Sequence, residues 1–299
     1  MTAPLALGID IGGTRLRAAL VDRAGVLHAR REVLTAAREG PQVIISQIAE
    51  LAAEVLQGVA RSDLAGAGVC CPGPLDTEQG IALGIPTLSG FNDVPIAKMI
   101  GEALDLPLAL ENDGIAAAHG EWRFGAGKGR ANLVYVTVST GIGGGVVLDG
   151  RLVHGRKGMA GHVGHMIVVR EGDTCSCGAR GCWEAYGSGT AFTRRIKMRR
   201  PRQGPAEIFA AARYGDPEAL ALVAEEAGWL AVGITGLLHL YSPEMIVLGG
   251  GVANGLDLML PAIRTRVDRD AMPAFRDALI VPAGLGENAG LVGAAALLF

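Results

Sequence analysis

Residues 5–22 read LALGIDIGGTRLRAALVD, and residues 132–150 read NLVYVTVSTGIGGGVVLDG. Each is a β-rich run, a turn of glycines with a hydroxyl residue, and a second β-rich run. After Gly13 the chain keeps the two-residue alternation of a half-buried strand. A single dinucleotide-binding domain of the G-x-G-x-x-G kind would lead from its glycine turn into a helix instead. The repetition therefore points to a duplicated hairpin suited to gripping a nucleotide. A third glycine turn, Leu248 to Gly251, follows a strand at Met245 to Leu248 and precedes a helix from Leu256 to Val267. Further helices are expected at residues 42–59, 94–104, 113–122, 206–213, 217–240 and 288–298, with strands alternating between them. The sum predicts the α/β class, in two domains with a cleft between them.

Composition narrows the functions open to such a chain. At 299 residues there is room for two domains of about 150 each. Hydrophobic residues at 49% and charged residues at 19% exclude a disordered chain. The net charge is -3, and the one basic stretch, Arg194 to Arg202, reads as a solvated helix end, so no nucleic-acid partner is expected. Forty-five glycines fall in clusters, where backbone must turn tightly or approach a ligand. The apolar stretch Leu5 to Ile9 is too short for a signal peptide and runs into Asp10. Ala227 to Leu240 falls short of the ~20 residues of a membrane span and is expected as a buried helix. Five cysteines, three of them between 175 and 182, do not form a secreted disulfide framework, and a cytoplasmic location with metal binding follows.

Asp10-Ile11-Gly12-Gly13-Thr14 places a carboxylate at a strand end beside amides that can approach phosphate oxygens. Next to a triphosphate that carboxylate needs Mg2+ or its water shell in between; a plain β-turn with an Asx cap is the alternative. Thr140-Gly141-Ile142-Gly143-Gly144 is the second clamp, with a glycine bulge in a buried strand pair as its alternative. Gly250 and Gly251 suit adenine and ribose. Asp113, after the strand Leu108 to Leu110, is the candidate base for an attacking hydroxyl, and its position also suits a helix N-cap. Asn112 beside it can donate and accept to a diol. His165, Cys175, Cys177 and Cys182 have the donors and spacing of a closed, structural zinc site. Such a site would pin His162 and Glu184 toward one pocket, making both substrate-contact candidates. Cys70 and Cys71 read as buried packing.

With these segments in order, the chain resembles the ROK family of bacterial sugar kinases and sugar-responsive repressors. The resemblance rests on DIGGT at 10–14, ENDGIAAAHGE at 111–121, TVSTGIGGGVVLDGRLVHG at 137–155, GMAGHVGHM at 158–166, CSCGARGCWEAYGSG at 175–189 and VLGGGVA at 247–253. It implies an actin-like ATPase (ribonuclease H-like) fold, ATP with Mg2+, a sugar in the interdomain cleft, structural Zn2+ on His165, Cys175, Cys177 and Cys182, and a homodimer. It also implies Asp113 as catalytic base, Asn112, His165 and Glu184 as sugar contacts, and Gly73 and Thr87 as further sugar-contact positions. Arg15 stands where the family often has Lys, keeping positive charge near phosphate. His162 stands where most family kinases have Glu. The resulting GHxGH is similar to bacterial N-acetylmannosamine kinases and favours phosphorylation of N-acetylmannosamine at its 6-hydroxyl. CPGPLD at 71–76 follows the commoner kinase form and keeps glucose as the alternative. A repressor would need a helix-turn-helix, and only nine residues precede Asp10. The expected domains are residues 1–114 plus 287–299, and residues 115–286 with the zinc site.

Overall fold

A computed structural model describes residues 4–299, so the first three residues of the expected N-terminal domain lie outside the described residues. In chain order the elements are β1 (Leu5–Ile11), β2 (Arg15–Asp22), β3 (Leu27–Leu34), α1 (Pro41–Val55), β4 (Leu64–Cys71), β5 (Leu75–Asp76), β6 (Ile81–Ala82), α2 (Ile96–Leu104), β7 (Leu108–Asn112) and α3 (Asp113–Phe124). They continue with β8 (Leu133–Val138), β9 (Ile142–Leu148), β10 (Arg151–Leu152), α4 (Glu184–Gly187), α5 (Gly189–Arg199), α6 (Pro205–Arg213), α7 (Pro217–Tyr241), β11 (Met245–Gly249), α8 (Leu256–Asp270), β12 (Leu279–Pro282) and α9 (Ala289–Ala296). The chain forms two compact units. One comprises the residues up to Gly129 with Leu152–Gly161 and Glu287–Phe299; the other comprises Arg130–Arg151 and His162–Gly286. The boundary expected after residue 114 falls inside α3, a continuous helix packed against α9, so the chain stays in the first unit as far as Gly129.

In the first unit, the sheet has the order β3-β2-β1-β4-β7. β1 and β2 pair antiparallel across the Gly12-Gly13 turn, while β4 runs parallel to β1 on its other side. Pro41 starts α1, where its missing N–H costs no hydrogen bond. The helix then repeats apolar residues at three and four spacing, burying Ile44, Ile48, Leu51 and Val55. These side chains, with Ile96 and Ile100 of α2, share one core with Leu7, Ile9, Leu16 and Val69 of the sheet. α9 lies on β1 and β4 and beside α3. There a Cβ on Gly68 would overlap the Ala294 carbonyl, and one on Gly8 would overlap that of Leu291. Glycine is needed at both for close approach of backbone to backbone.

In the second unit, the sheet order is β10-β9-β8-β11-β12. β8 and β9 pair antiparallel, from Leu133 opposite Val147 to Val138 opposite Ile142, and β11 runs parallel to β8. The hairpin with a parallel neighbour thus occurs once per unit, and the duplication read from the sequence is a duplication of topology. α7 is capped by Asp216, whose side chain accepts from Ala219 N at 2.9 Å, and Pro217 occupies its first turn. By length and composition it could cross a membrane, yet Leu222, Leu230, Ile234 and Leu237 are buried in this unit, where it packs on α6 and α8. The basic stretch around α5 is paired: Arg194 with Asp173, Arg195 with Glu226, Arg199 with Glu225, and Arg200 with Asp216 and Glu218.

Candidate active site

The functional residues expected from the sequence divide between the units. In the first unit, Gly12 N donates to Arg15 O at 2.9 Å, closing the turn between β1 and β2. Thr87 lies against Gly13, where a Cβ would come within 2.8 Å of its own. Asp10 faces Arg17, its cross-strand partner, at 3.0 Å, and the Cys70 sulfur at 3.6 Å. Burial pushes the Asp10 carboxyl above its ordinary range, and Arg17 works against that rise. The Asp10 charge is therefore already offset by a guanidinium, which the sequence reading did not foresee. Arg15, expected near phosphate, pairs with Glu32. Gly73, expected to touch sugar, lies in the short connection between β4 and β5.

Asn112 ends β7 and Asp113 opens α3. The cap is Asn112, not Asp113: its Oδ1 accepts from Gly114 N at 3.0 Å and Ile115 N at 3.4 Å. Its acceptor oxygen is engaged, so the amide N–H groups are what Asn112 has left to offer a hydroxyl. Asp113 accepts from Gly114 N at 2.8 Å and sits in the first helical turn, where the helix dipole favours a carboxylate. Cys70 and Cys71 are buried, as expected, and burial raises both thiols well above their usual range.

In the second unit, Ser139 N donates to Gly141 O at 2.9 Å in the turn between β8 and β9. Gly189 N and the Thr190 hydroxyl donate to Ser139 O and Thr140 O, both at 2.7 Å, fastening the start of α5 to that turn. Gly143 and Gly144 lie within β9, opposite Thr137 and Val136, so of the expected clamp residues only Thr140 and Gly141 lie in the turn, beside Ser139. A cavity of about 540 Å³ opens here, walled by Thr140, Thr190, Phe209, Gly251, Val252 and Asn254. It joins the second and third glycine turns. Gly250 holds φ at 85°, a left-handed conformation that glycine adopts without penalty. Phe209 and Thr190 were not foreseen, because their helices carry no motif of their own.

His165, Cys175, Cys177 and Cys182 bring one nitrogen and three sulfurs within 4.8 Å of one another. The sulfurs of Cys177 and Cys182 are 3.7 Å apart, and His165 Nδ1 is 3.7 Å from the Cys175 sulfur. A tetrahedral zinc with Zn–S bonds of about 2.3 Å has ligand separations of about 3.8 Å, so the donors fit that ion. With Nδ1 toward the cluster, His165 has Nε2 on the other edge of its ring, and one imidazole can serve both metal and substrate. Trp183 is fully buried against Gly233 of α7 and donates to Trp229 O at 2.7 Å. Its neighbour Glu184 is thereby fixed: one oxygen accepts from Ile142 N at 2.9 Å, the other from the Ser176 hydroxyl at 2.7 Å. A Cβ on Gly141 would overlap the first of these oxygens. The His162 and His165 rings stack with centroids 6.3 Å apart. The second glycine turn, the cysteine loop and the two histidines are thus one constellation.

The fold and these sites belong together in one protein class. A family model described as the ROK family matches residues 6–299, and the chain belongs to that family. It is 33% identical to the glucokinase of Thermotoga maritima, covering 98% of this chain and 96% of the relative. To the N-acetylmannosamine kinase of Escherichia coli O157:H7 it is 34% identical, covering 97% of each. It is also 30% identical to the xylose repressor of Bacillus subtilis, over 99% of this chain but 77% of the repressor. Among solved structures, a ROK family glucokinase from Streptomyces griseus in complex with glucose and AMPPNP superposes with a TM-score of 0.85, at 33% identity and 98% coverage of both chains. The fold is the actin-like ATPase fold of the ROK sugar kinases.

Proposed function

We propose that this protein is an ATP-dependent sugar kinase that phosphorylates N-acetylmannosamine at the 6-hydroxyl. The observation that carries the kinase reading is the start of α3, where Asn112 supplies the cap and leaves the Asp113 carboxylate to the first turn. Asp113 accepts the proton of the 6-hydroxyl as its oxygen bonds to the γ-phosphorus. The bond from that phosphorus to the bridging oxygen breaks, and ADP leaves. Mg2+ enters with ATP as part of the substrate and offsets phosphate charge near Asp10. Thr140 and Gly251 border a cavity whose size, with Phe209 and Val252 on its wall, suits a purine, and Gly141 and Gly250 adjoin them in the two glycine turns. Asn112, His162, His165 and Glu184 orient the sugar, and His165, Cys175, Cys177 and Cys182 would hold a zinc ion that fixes the loop carrying the last two. The protein works as a cytoplasmic homodimer in this reading.

The acetamido sugar is favoured by His162, which puts an imidazole where a carboxylate would accept hydroxyl protons only. Glucose is the second reading, supported by the glucokinase relatives and by CPGPLD at 71–76. ADP release measured in parallel with N-acetylmannosamine, N-acetylglucosamine, glucose and mannose separates the two. The expected kcat/KM is highest for N-acetylmannosamine, and a preference of about tenfold or more for glucose reverses the assignment.

A further inference from the structure

Glu111 is 3% exposed, at the end of β7 just before the capping Asn112. One carboxylate oxygen accepts from the Asn112 backbone N at 2.8 Å. The other meets His154 Nε2 at 3.0 Å. His154 comes from Leu152–Gly161, the segment in which the chain returns to the first unit before His162. That segment is closed on itself by Ala160 N donating to His154 O at 2.9 Å. It is held a second time by Lys157, whose ammonium is 3.2 Å from the buried Asp76 carboxylate. The His154 side chain is 49% exposed, so it exchanges protons with solution while its partner does not face water.

A buried carboxylate needs partners for both oxygens, and the loss of one is costly. Here one partner is the peptide N–H of the residue that starts α3, and the other is an imidazole. We propose that His154 is a positioning residue for phosphoryl transfer: by holding Glu111 it fixes the Asn112 peptide, and through it the helix start that carries Asp113. The inference rests on Asp113 being the base. It predicts a pH dependence with a definite sign. The hydrogen bond that His154 donates to Glu111 raises the His154 pKa above the ordinary histidine value, against partial burial, and the Leu152 backbone adds to the rise. A raised histidine gives its partner the full charged contact below the ordinary value and loses that charge, and the stabilisation it brings, as pH climbs through the raised one. Another ionisable group that senses His154 is His119 of α3, where burial, with Arg123 and His154 adding, lowers the pKa to about 4. His119 is therefore neutral throughout that window.

The test is the pH profile of kcat and of both KM values for the wild type, His154→Gln, His154→Arg and Asp113→Asn. His154→Gln is expected to lower kcat about tenfold at the acid end with KM for ATP little changed, since small misplacement of a reacting group costs that much or more. His154→Arg, which keeps the cation, is expected to restore kcat to within about threefold and to lose the alkaline decline. A kcat for His154→Gln within about twofold of wild type, with the same profile, overturns the inference. If His154→Gln does not fold, His154→Arg decides alone: loss of the alkaline decline supports the role and its persistence overturns it. Wild-type kcat in Asp113→Asn would instead remove the base assignment, whatever the His154 variants do.

Discussion

Gly141 shows how one missing side chain shapes the site. It has no need of glycine for its backbone conformation; what requires it is the Glu184 oxygen that would meet a Cβ there. Gly141→Ala should push Glu184 away from Ile142 N, losing a charge-assisted hydrogen bond worth about 1.5–3 kcal/mol. Measured by steady-state kinetics, the sugar KM is expected to rise roughly tenfold for each 1.4 kcal/mol lost at that contact. An unchanged sugar KM would separate Glu184 from the substrate. At this scale the sequence was informative about identity and silent about engagement. DIGGT marked Asp10, and Arg15 stood out as the residue after it, but the partners Arg17 and Glu32 emerge only when β1, β2 and β3 lie in register. Asp113 was marked as the base and also as a cap; the competition between two adjacent capping side chains was settled by the fold in favour of Asn112.

Among the elements, the glycine hairpins were legible because alternation and turn chemistry act over a few residues. The strands at β1, β2, β8 and β9 follow directly from the quoted stretches. β3 was not expected: LHARREVL carries His28, Arg30, Arg31 and Glu32, whose charges are accommodated by cross-strand and neighbouring partners rather than by burial. β4, LAGAGVCC, has small residues because α9 lies so close, a tertiary cause that a local pattern does not reveal. The cysteine loop brings His165, Cys175, Cys177 and Cys182 together as a candidate metal site. Cys177→Ser is expected to lower bound zinc, read by metal analysis, and to lower sugar affinity with it, because the same loop carries Trp183 and Glu184. Full zinc occupancy in that variant would contradict the ligand set.

For the molecule as a whole, the sequence disclosed the class and the duplication, and the structure supplied the two units and their boundary at Gly129. The exchange of segments between units was beyond local reading, since Leu152–Gly161 is short, lies between two site motifs and joins the first unit through His154 and Lys157. The account as a whole depends on catalysis of phosphoryl transfer to a sugar by Asp113. Its most direct test combines ADP release with calorimetric sugar binding for wild type and Asp113→Asn. The variant is expected to lose about 10²–10⁴-fold in kcat, the usual contribution of a general base, while binding N-acetylmannosamine with nearly unchanged affinity. Turnover at the wild-type rate in that variant would contradict the account.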